Sequence, residues 1–210
     1  MSDFINTIDI LDDEIVCSSL IDRTITEIKD DVVWYLGNYA LARCPNLVTV
    51  DFPNVTYIDG SVFVYSSALK NVNLPKCNYL ESYAFNYCTG LQEIKLHACQ
   101  YIGASAFMGC TNLEIVDLLY ASIERGAFAS CSKLKALIIR HETVASVLKD
   151  KGALSGTLIA SGTGYIYVPS ALVESYKTAS GWSNYANQFR ALEDYTVDGT
   201  ITGELDPNKI

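Results

Sequence analysis

The chain has 210 residues, half of them hydrophobic and 19% charged, with a formal net charge of −9. That length and apolar share suffice for a buried core and argue against disorder, and no run approaches the roughly 18 apolar residues that would span a bilayer, so no membrane insertion is expected. Residues 1–31 carry nine acids and two bases, residues 193–210 five acids and one base, and the stretch between ten acids and twelve bases; a nearly neutral middle lacks the clustered Lys and Arg that phosphates call for, so no nucleic-acid partner is expected.

The opening "MSDFINTIDILDDE" is acidic where a secretory signal would be basic and then apolar. A chain whose leader had been removed would read the same way, which leaves localisation open. From Asp3 to Ile21, Phe4, Ile8, Leu11 and Ile15 fall at helical spacing with Asp12, Asp13 and Glu14 turned away, an amphipathic helix. Its place ahead of the repeats suggests a cap over an open core; docking on a partner coil is the alternative. "TITEIKDD" comes next as a half turn, with Ile25 and Ile28 in register with Leu47 and Val50.

From Leu36 to Ile139 the chain repeats about every 22 residues. Leu36, Ile58, Leu80, Ile102 and Ile123 form one column, Leu41, Phe63, Phe85, Phe107 and Phe128 a second, and Leu47, Leu69, Leu91, Leu113 and Leu134 a third. Each leucine of the third column opens L-x-x-[VIL]-x-[LFI], an alternating run that places its apolar residues on one face of a strand. A period in the twenties carrying such a strand predicts a repeat solenoid of the α/β leucine-rich-repeat type, with about five 22-residue turns and a parallel sheet on one face.

The lines "YLESYAFNYCTGLQEIKLH" and "YIGASAFMGCTNLEIVDLL" resemble the BspA-like class of leucine-rich repeat over roughly Trp34 to Arg140. Leu41 in place of Phe, Ser66 in place of Cys and a fifth turn one residue short depart from its pattern. The resemblance implies a binding or adhesion module of bacterial cell surfaces.

Side chains alternate along a strand, so the positions between the buried ones form the accessible ladders. They run Thr49, Asn71, Glu93, Ile115, Ala136; then Asp51, Asn73, Lys95, Asp117, Ile138; then Pro53, Pro75, His97, Leu119, Arg140. They begin polar and turn apolar, and Ile115, Leu119 and Ile138 are expected to face outwards as a contact surface unless a C-terminal segment folds over them. Glu93, Lys95, His97, Ile115, Asp117, Leu119 and Ile138 are therefore the first candidate ligand-binding residues. The column Tyr35, Tyr57, Tyr79, Tyr101 reads first as a packing ladder with wet hydroxyls, and Tyr57, Tyr79 and Tyr101 are second-choice binding residues.

Cys44, Cys88, Cys110 and Cys131 share one column, Cys77 and Cys99 another, and Cys17 sits in the first helix. No C-x-x-C pair occurs and neither His97 nor His141 completes a zinc spacing, so neither metal nor cofactor is expected. Buried free thiols acting as small apolar residues fit the pattern.

After Arg140 the period ends. "YIYVP" reads as a β-rich run, "SALVESYKTASGW" as a short helix with Leu172, Val173 and Tyr176 inward, and "SNYANQFRAL" as a second helix burying Tyr185 and Phe189, with Trp182 between them. The module resembles closing segments of bacterial and prophage-encoded leucine-rich-repeat proteins. The expected organisation is an N-terminal helical cap over 1–23, the solenoid over 24–140, a C-terminal α/β capping segment over 141–194 and a flexible tail over 195–210.

No pair of carboxylates is set opposite one another by the repeat, and no nucleophile is placed beside a histidine, so no enzyme is expected. Two functions remain. One is a non-enzymatic module that binds a protein or glycan through the exposed strand face, at a cell surface or outside the cell. The other is a structural or receptor-binding component of a phage or prophage tail, with homo-oligomerisation as part of a virion.

Overall fold

The computed structural model describes residues 24–143, 146–197 and 200–201; the helix expected over Asp3–Ile21 and the end of the tail lie outside them. Each turn of the solenoid lays down two parallel strands. The L-x-x-[VIL]-x-[LFI] runs form strands Thr49–Asp51, Asn71–Asn73, Glu93–Leu96, Ile115–Leu118 and Ala136–Ile139, and the half turn adds Glu27–Lys29 ahead of them. These make the strand face. The register obeys the repeat: Ile28 pairs with Val50, Val50 with Val72, Ile94 with Val116 and Val116 with Leu137. Two-residue strands Tyr35–Leu36, Tyr57–Ile58, Tyr79–Leu80, Tyr101–Ile102, Ser122–Ile123 and Val147–Leu148 form a continuous second sheet of six.

Between the sheets four successive turns each insert one ring. Phe63, Phe85, Phe107 and Phe128 are fully buried and stack at centroid separations of 4.8, 5.1 and 5.3 Å. Their backbone N–H groups bond the next turn, as Phe85 does to Ala106 C=O at 2.7 Å. Leu41 fills the same place, fully buried without a ring, in the turn before Phe63, which is the second when the half turn carrying Glu27–Lys29 is counted as the first.

The cysteine column has a defined task. Cys88, Cys110 and Cys131 each donate Sγ–H to the carbonyl of the preceding turn's phenylalanine, at 3.1, 3.1 and 3.0 Å. Ser66 donates to Leu41 C=O at 2.8 Å in the same way. The Ser-for-Cys departure thus keeps a small donor that satisfies a buried carbonyl. Cys77, Cys88, Cys99, Cys110 and Cys131 are free, and burial pushes the Cys99 thiol up to about 12. Cys44, by contrast, is disulfide-bonded, which departs from the expectation of free thiols throughout.

The sheet does not stop at Arg140. Tyr165–Val168 pairs in parallel with Ala136–Ile139, and Phe189–Ala191 pairs in parallel with Tyr165–Val168. The expected C-terminal segment therefore extends the strand face by two strands. Phe189 opens a strand instead of closing a helix; the helix before it is a 3-10 helix, Trp182–Gln188. Around it the expected plug is in place. Trp182 is 1% exposed and its Nε1–H donates to Ser146 C=O at 2.7 Å, while Tyr176 Oη accepts from Ser146 N–H at 2.7 Å. The α-helix Val173–Thr178 turns Tyr176 into the core. Past it, Tyr195 is buried, and Thr196–Val197 pairs antiparallel with Thr200–Ile201.

Candidate functional site on the strand face

The second sheet runs unbroken, but the strand face is divided. Glu27–Lys29, Thr49–Asp51 and Asn71–Asn73 form one sheet of three, and Glu93–Leu96 begins a separate sheet of five. Asn71 N–H donates to Val48 C=O (3.0 Å) and Ile115 N–H to Gln92 C=O (3.3 Å). Successive residues of a strand present their backbone groups to alternate sides, so Val72 directs its N–H and C=O towards the fourth turn and Glu93 and Lys95 direct theirs towards the third. The third and fourth turns pinch together just before this gap. A Cβ on Gly90 would lie 2.7 Å from Ser67 O and 2.9 Å from Leu69 O, so only glycine admits this approach.

An open cleft of about 1010 Å³ runs along the strand face from Lys29, Thr49 and Asp51 across the place where the sheets part, with Lys70, Asn71, Val72 and Pro75 before the parting and Glu93, Lys95, His97 and Leu119 beyond it. Its polar floor is ordered: Asn71 Nδ2 donates to Thr49 Oγ1 (3.0 Å) and Asn73 Nδ2 to Asp51 Oδ1 (2.7 Å). Lys95 Nζ pairs with Glu93 Oε1 at 3.2 Å, an exposed pair of little energetic weight. Of the residues expected from sequence, Glu93, Lys95, His97 and Leu119 meet here. Lys70, Asn71 and Val72 complete the site. Sequence reasoning misses them, because ranking the ladders by where they turn apolar passes over the polar strands.

Asp117 is not available to a ligand. It is 4% exposed and bound by Arg140 through Nε (2.7 Å) and Nη2 (2.9 Å). His97 Nε2 lies 3.1 Å away but makes no hydrogen bond within the protein by geometry. Burial alone would raise the Asp117 carboxyl, but the neighbouring His97 and Arg140 outweigh it and hold it below the ordinary carboxylate range. The expectation of an exposed Asp117 is corrected: a bidentate guanidinium one turn on takes the carboxylate out of water.

Ile138 follows the alternative in which the C-terminal segment covers it, and so is not an outward-facing contact. It is 2% exposed, within a second apolar cluster with Ala136, Leu192 and Tyr195, against which Ile115 and Tyr167 pack half-buried. The segment beyond the last strand folds back over the outer side of the face, as the sequence allows. Ile115 keeps only partial exposure.

The tyrosine column stands apart from the cleft, on the second sheet. Tyr57 and Tyr79 stack at 5.5 Å, Tyr79 and Tyr101 at 4.7 Å. Tyr35 Oη donates to Asp59 Oδ2 (2.7 Å) and Tyr57 Oη to Glu81 Oε1 (2.8 Å). Desolvation, then the Glu81 hydrogen bond, raises the Tyr57 phenol. Tyr57 and Tyr101 are half-buried and Tyr79 is 39% exposed. With rings covered by neighbours and two hydroxyls bonded to carboxylates, the column packs the solenoid edge.

The model of the BspA-type leucine-rich repeat region matches residues 34–149 in six copies, more than half of the chain. The chain belongs to the BspA-type leucine-rich-repeat family. The matched range runs past the five turns counted from sequence to residue 149, just beyond the sixth strand of the second sheet, Val147–Leu148. Among solved structures, the pneumococcal vaccine antigen PcpA aligns with a TM-score of 0.64 at 16% identity, over 80% of this chain and 41% of that one. A leucine-rich repeat protein of T. pallidum aligns with a TM-score of 0.47 at 24% identity, over 54% and 58%. A leucine-rich cell surface protein of Faecalibacterium prausnitzii aligns with a TM-score of 0.43 at 18% identity, over 73% and 37%. The chain thus spans less than two thirds of each of these structures. No curated protein matches it. BspA-type repeats are typical of surface and binding proteins. Among the described residues no group of three or more His, Cys, Asp or Glu side chains could hold a metal, and no helix is long and apolar enough to cross a membrane.

Proposed function

We propose that this protein is a non-enzymatic recognition module that binds an extended segment of a protein partner in the strand-face cleft. The observation that carries the reading is the divided sheet: Val72 on one edge and Glu93 and Lys95 on the other turn backbone donors and acceptors into an open cleft. An extended peptide satisfies such edges by strand addition, with affinity from main-chain hydrogen bonds and selectivity from alternate side chains. Val72, Pro75 and Leu119 offer it apolar contacts, and Lys70, Lys95 and Glu93 a mixed-charge rim. The covered C-terminal half leaves the cleft as the accessible part of the strand face.

The test is to pan a library of displayed linear peptides against the protein and to measure the enriched sequences with Asn71→Arg, which fills the cleft from an exposed position. Enrichment of peptides whose affinity falls by about tenfold or more in that variant is the expected result, the loss typical of a central contact. Peptides that bind the variant equally well, or binding confined to a glycan array, would overturn the reading.

A further inference from the structure

One side chain on the cleft is left unsatisfied by the fold. His97 follows the strand Glu93–Leu96 and takes the place in its turn that Pro75 holds one turn before and Leu119 one turn after. All three line the cleft. The Nε2 atom of His97 is buried without a hydrogen bond, although Asp117 Oδ1 lies only 3.1 Å away. A buried polar atom without a partner costs free energy, so packing does not explain a histidine in this place.

The ring stands between a buried anion and the open cleft. On the inner side Asp117 is fixed by Arg140, whose Nε and Nη2 hold its two carboxylate oxygens. Tyr195 faces the same carboxylate from the covering segment, and burial, ahead of the charges of Glu93 and Asp117, raises its phenol so that it stays neutral. On the outer side the His97 side chain is 36% exposed, and no described residue bonds its Nδ1. Protonated, the imidazole can donate from Nε2 to Asp117 and offer a second N–H to the cleft. Neutral, it has one N–H for the two directions.

The other charges of the lining decide what that second N–H would meet. Lys29 pairs with Glu27 at 3.0 Å and Lys95 with Glu93 at 3.2 Å, and Asp51 accepts from Asn73. Lys70 has no ion pair among the described residues. The charged or titratable groups of the lining without a polar partner are thus a lysine and a histidine, and both take an anion. We propose that His97 makes the cleft selective for a partner segment carrying an acidic side chain, its imidazolium donating from Nδ1 to that carboxylate, and that the selectivity strengthens as pH falls below neutrality. The inference rests on the cleft being the recognition site. Asp117 is a positioning residue: it draws Nε2–H inwards and offsets the added charge. Lys70 supplies a second cation across the parting. A glutamate side chain, with an ordinary value near 4.3, stays ionised down to about pH 5, so falling pH charges the histidine before it neutralises the ligand.

The experiment measures anisotropy of two fluorescent decapeptides, one alternating Glu and Thr and the other Gln and Thr, against the full chain at pH 5.5 and 7.5. Saturable binding of the Glu–Thr peptide, about tenfold tighter at pH 5.5 as one added charge-assisted hydrogen bond allows, with no such change for the Gln–Thr peptide, is the expected result. His97→Gln is expected to hold binding at the pH 7.5 level throughout, and His97→Lys to bind the Glu–Thr peptide equally at both pH values. His141→Gln, off the cleft, should behave as the parent. Both His97 positions are half-buried in the parent, and thermal melts check that each variant is folded. Equal affinity for the Glu–Thr peptide at the two pH values, or a pH dependence that survives in His97→Gln, would overturn the inference. Binding of both peptides that Asn71→Arg abolishes and pH leaves unchanged would overturn it while leaving strand-face recognition in place. No saturable binding of the Glu–Thr peptide at pH 5.5 would overturn it as well, and panning the linear-peptide library decides separately whether the cleft binds other segments.

Discussion

The two halves of the strand face are built from the same repeat and end differently. In turns one to four the outward positions are Thr49, Asn71, Asp51, Asn73, Glu93 and Lys95, half-buried or exposed, and the sheet parts between the third and fourth. In turns five and six they are Ile115, Asp117, Ala136 and Ile138, and three of the four are buried. The difference lies in the C-terminal segment: Leu192 and Tyr195 come back over the later strands, and Arg140 neutralises the one carboxylate there. A uniform solenoid thereby becomes a protein with one closed end and one open cleft.

The closed half is most vulnerable at Asp117. Asp117→Ala strands Arg140 in its half-buried place and is expected to cost about 3 kcal/mol in urea unfolding, the usual loss on breaking a buried pair. The folded-state carboxyl lies below its unfolded value of about 3.9, so its contribution is complete above that pH and disappears as pH falls through the folded-state value. The gap between parent and variant is therefore expected to hold at pH 6 and to narrow below pH 4; a gap unchanged at pH 3 contradicts the assignment.

Leu192→Ala reopens the closed half. Leu192 is 1% exposed, so the change is expected to cost about 2–3 kcal/mol in the same assay, and dye binding to newly exposed apolar surface should rise. No increase in dye binding would mean that Leu192 does not cover Ile138.

Gly90→Ala acts on the pinch beside the cleft. Its methyl would meet two carbonyl oxygens of the third turn, and a loss of about 1–3 kcal/mol is expected from overpacking. A neutral result in thermal melts would show that the turns can part there freely. The smallest effect is expected at Cys110→Ser, below about 1 kcal/mol, because Ser66 already makes the equivalent bond to the preceding turn. Cys110→Val, which removes the donor, is expected to cost more; equal melting temperatures for the two would argue that the column is only filler.

The columns were legible because a strict period maps each residue to a place: the stacked phenylalanines, the buried leucines and the strand register all come from spacing alone. The continuation of the sheet was hidden because Tyr165 pairs with Ala136 across a longer insertion, which erased the 22-residue beat while leaving the strand-forming "YIYV". Asp117 read as exposed because alternation gives the side of a strand and not the groups lying on it; Arg140 at the end of the next strand was the available clue. The cleft left no mark in composition. The close approach at Gly90, which only glycine admits, is the feature beside it that the sequence carries.

The most direct test of the divided strand face is residue-resolved amide exchange by NMR in the free protein. The N–H groups of Asn71, Ile115 and Ala136 are bonded to Val48, Gln92 and Glu114 and should be protected, whereas those of Val72, Glu93 and Lys95 face the cleft and should exchange much faster. Protection of Val72, Glu93 and Lys95 equal to that of their neighbours would mean a continuous sheet, and would remove the cleft edges on which recognition is proposed to depend.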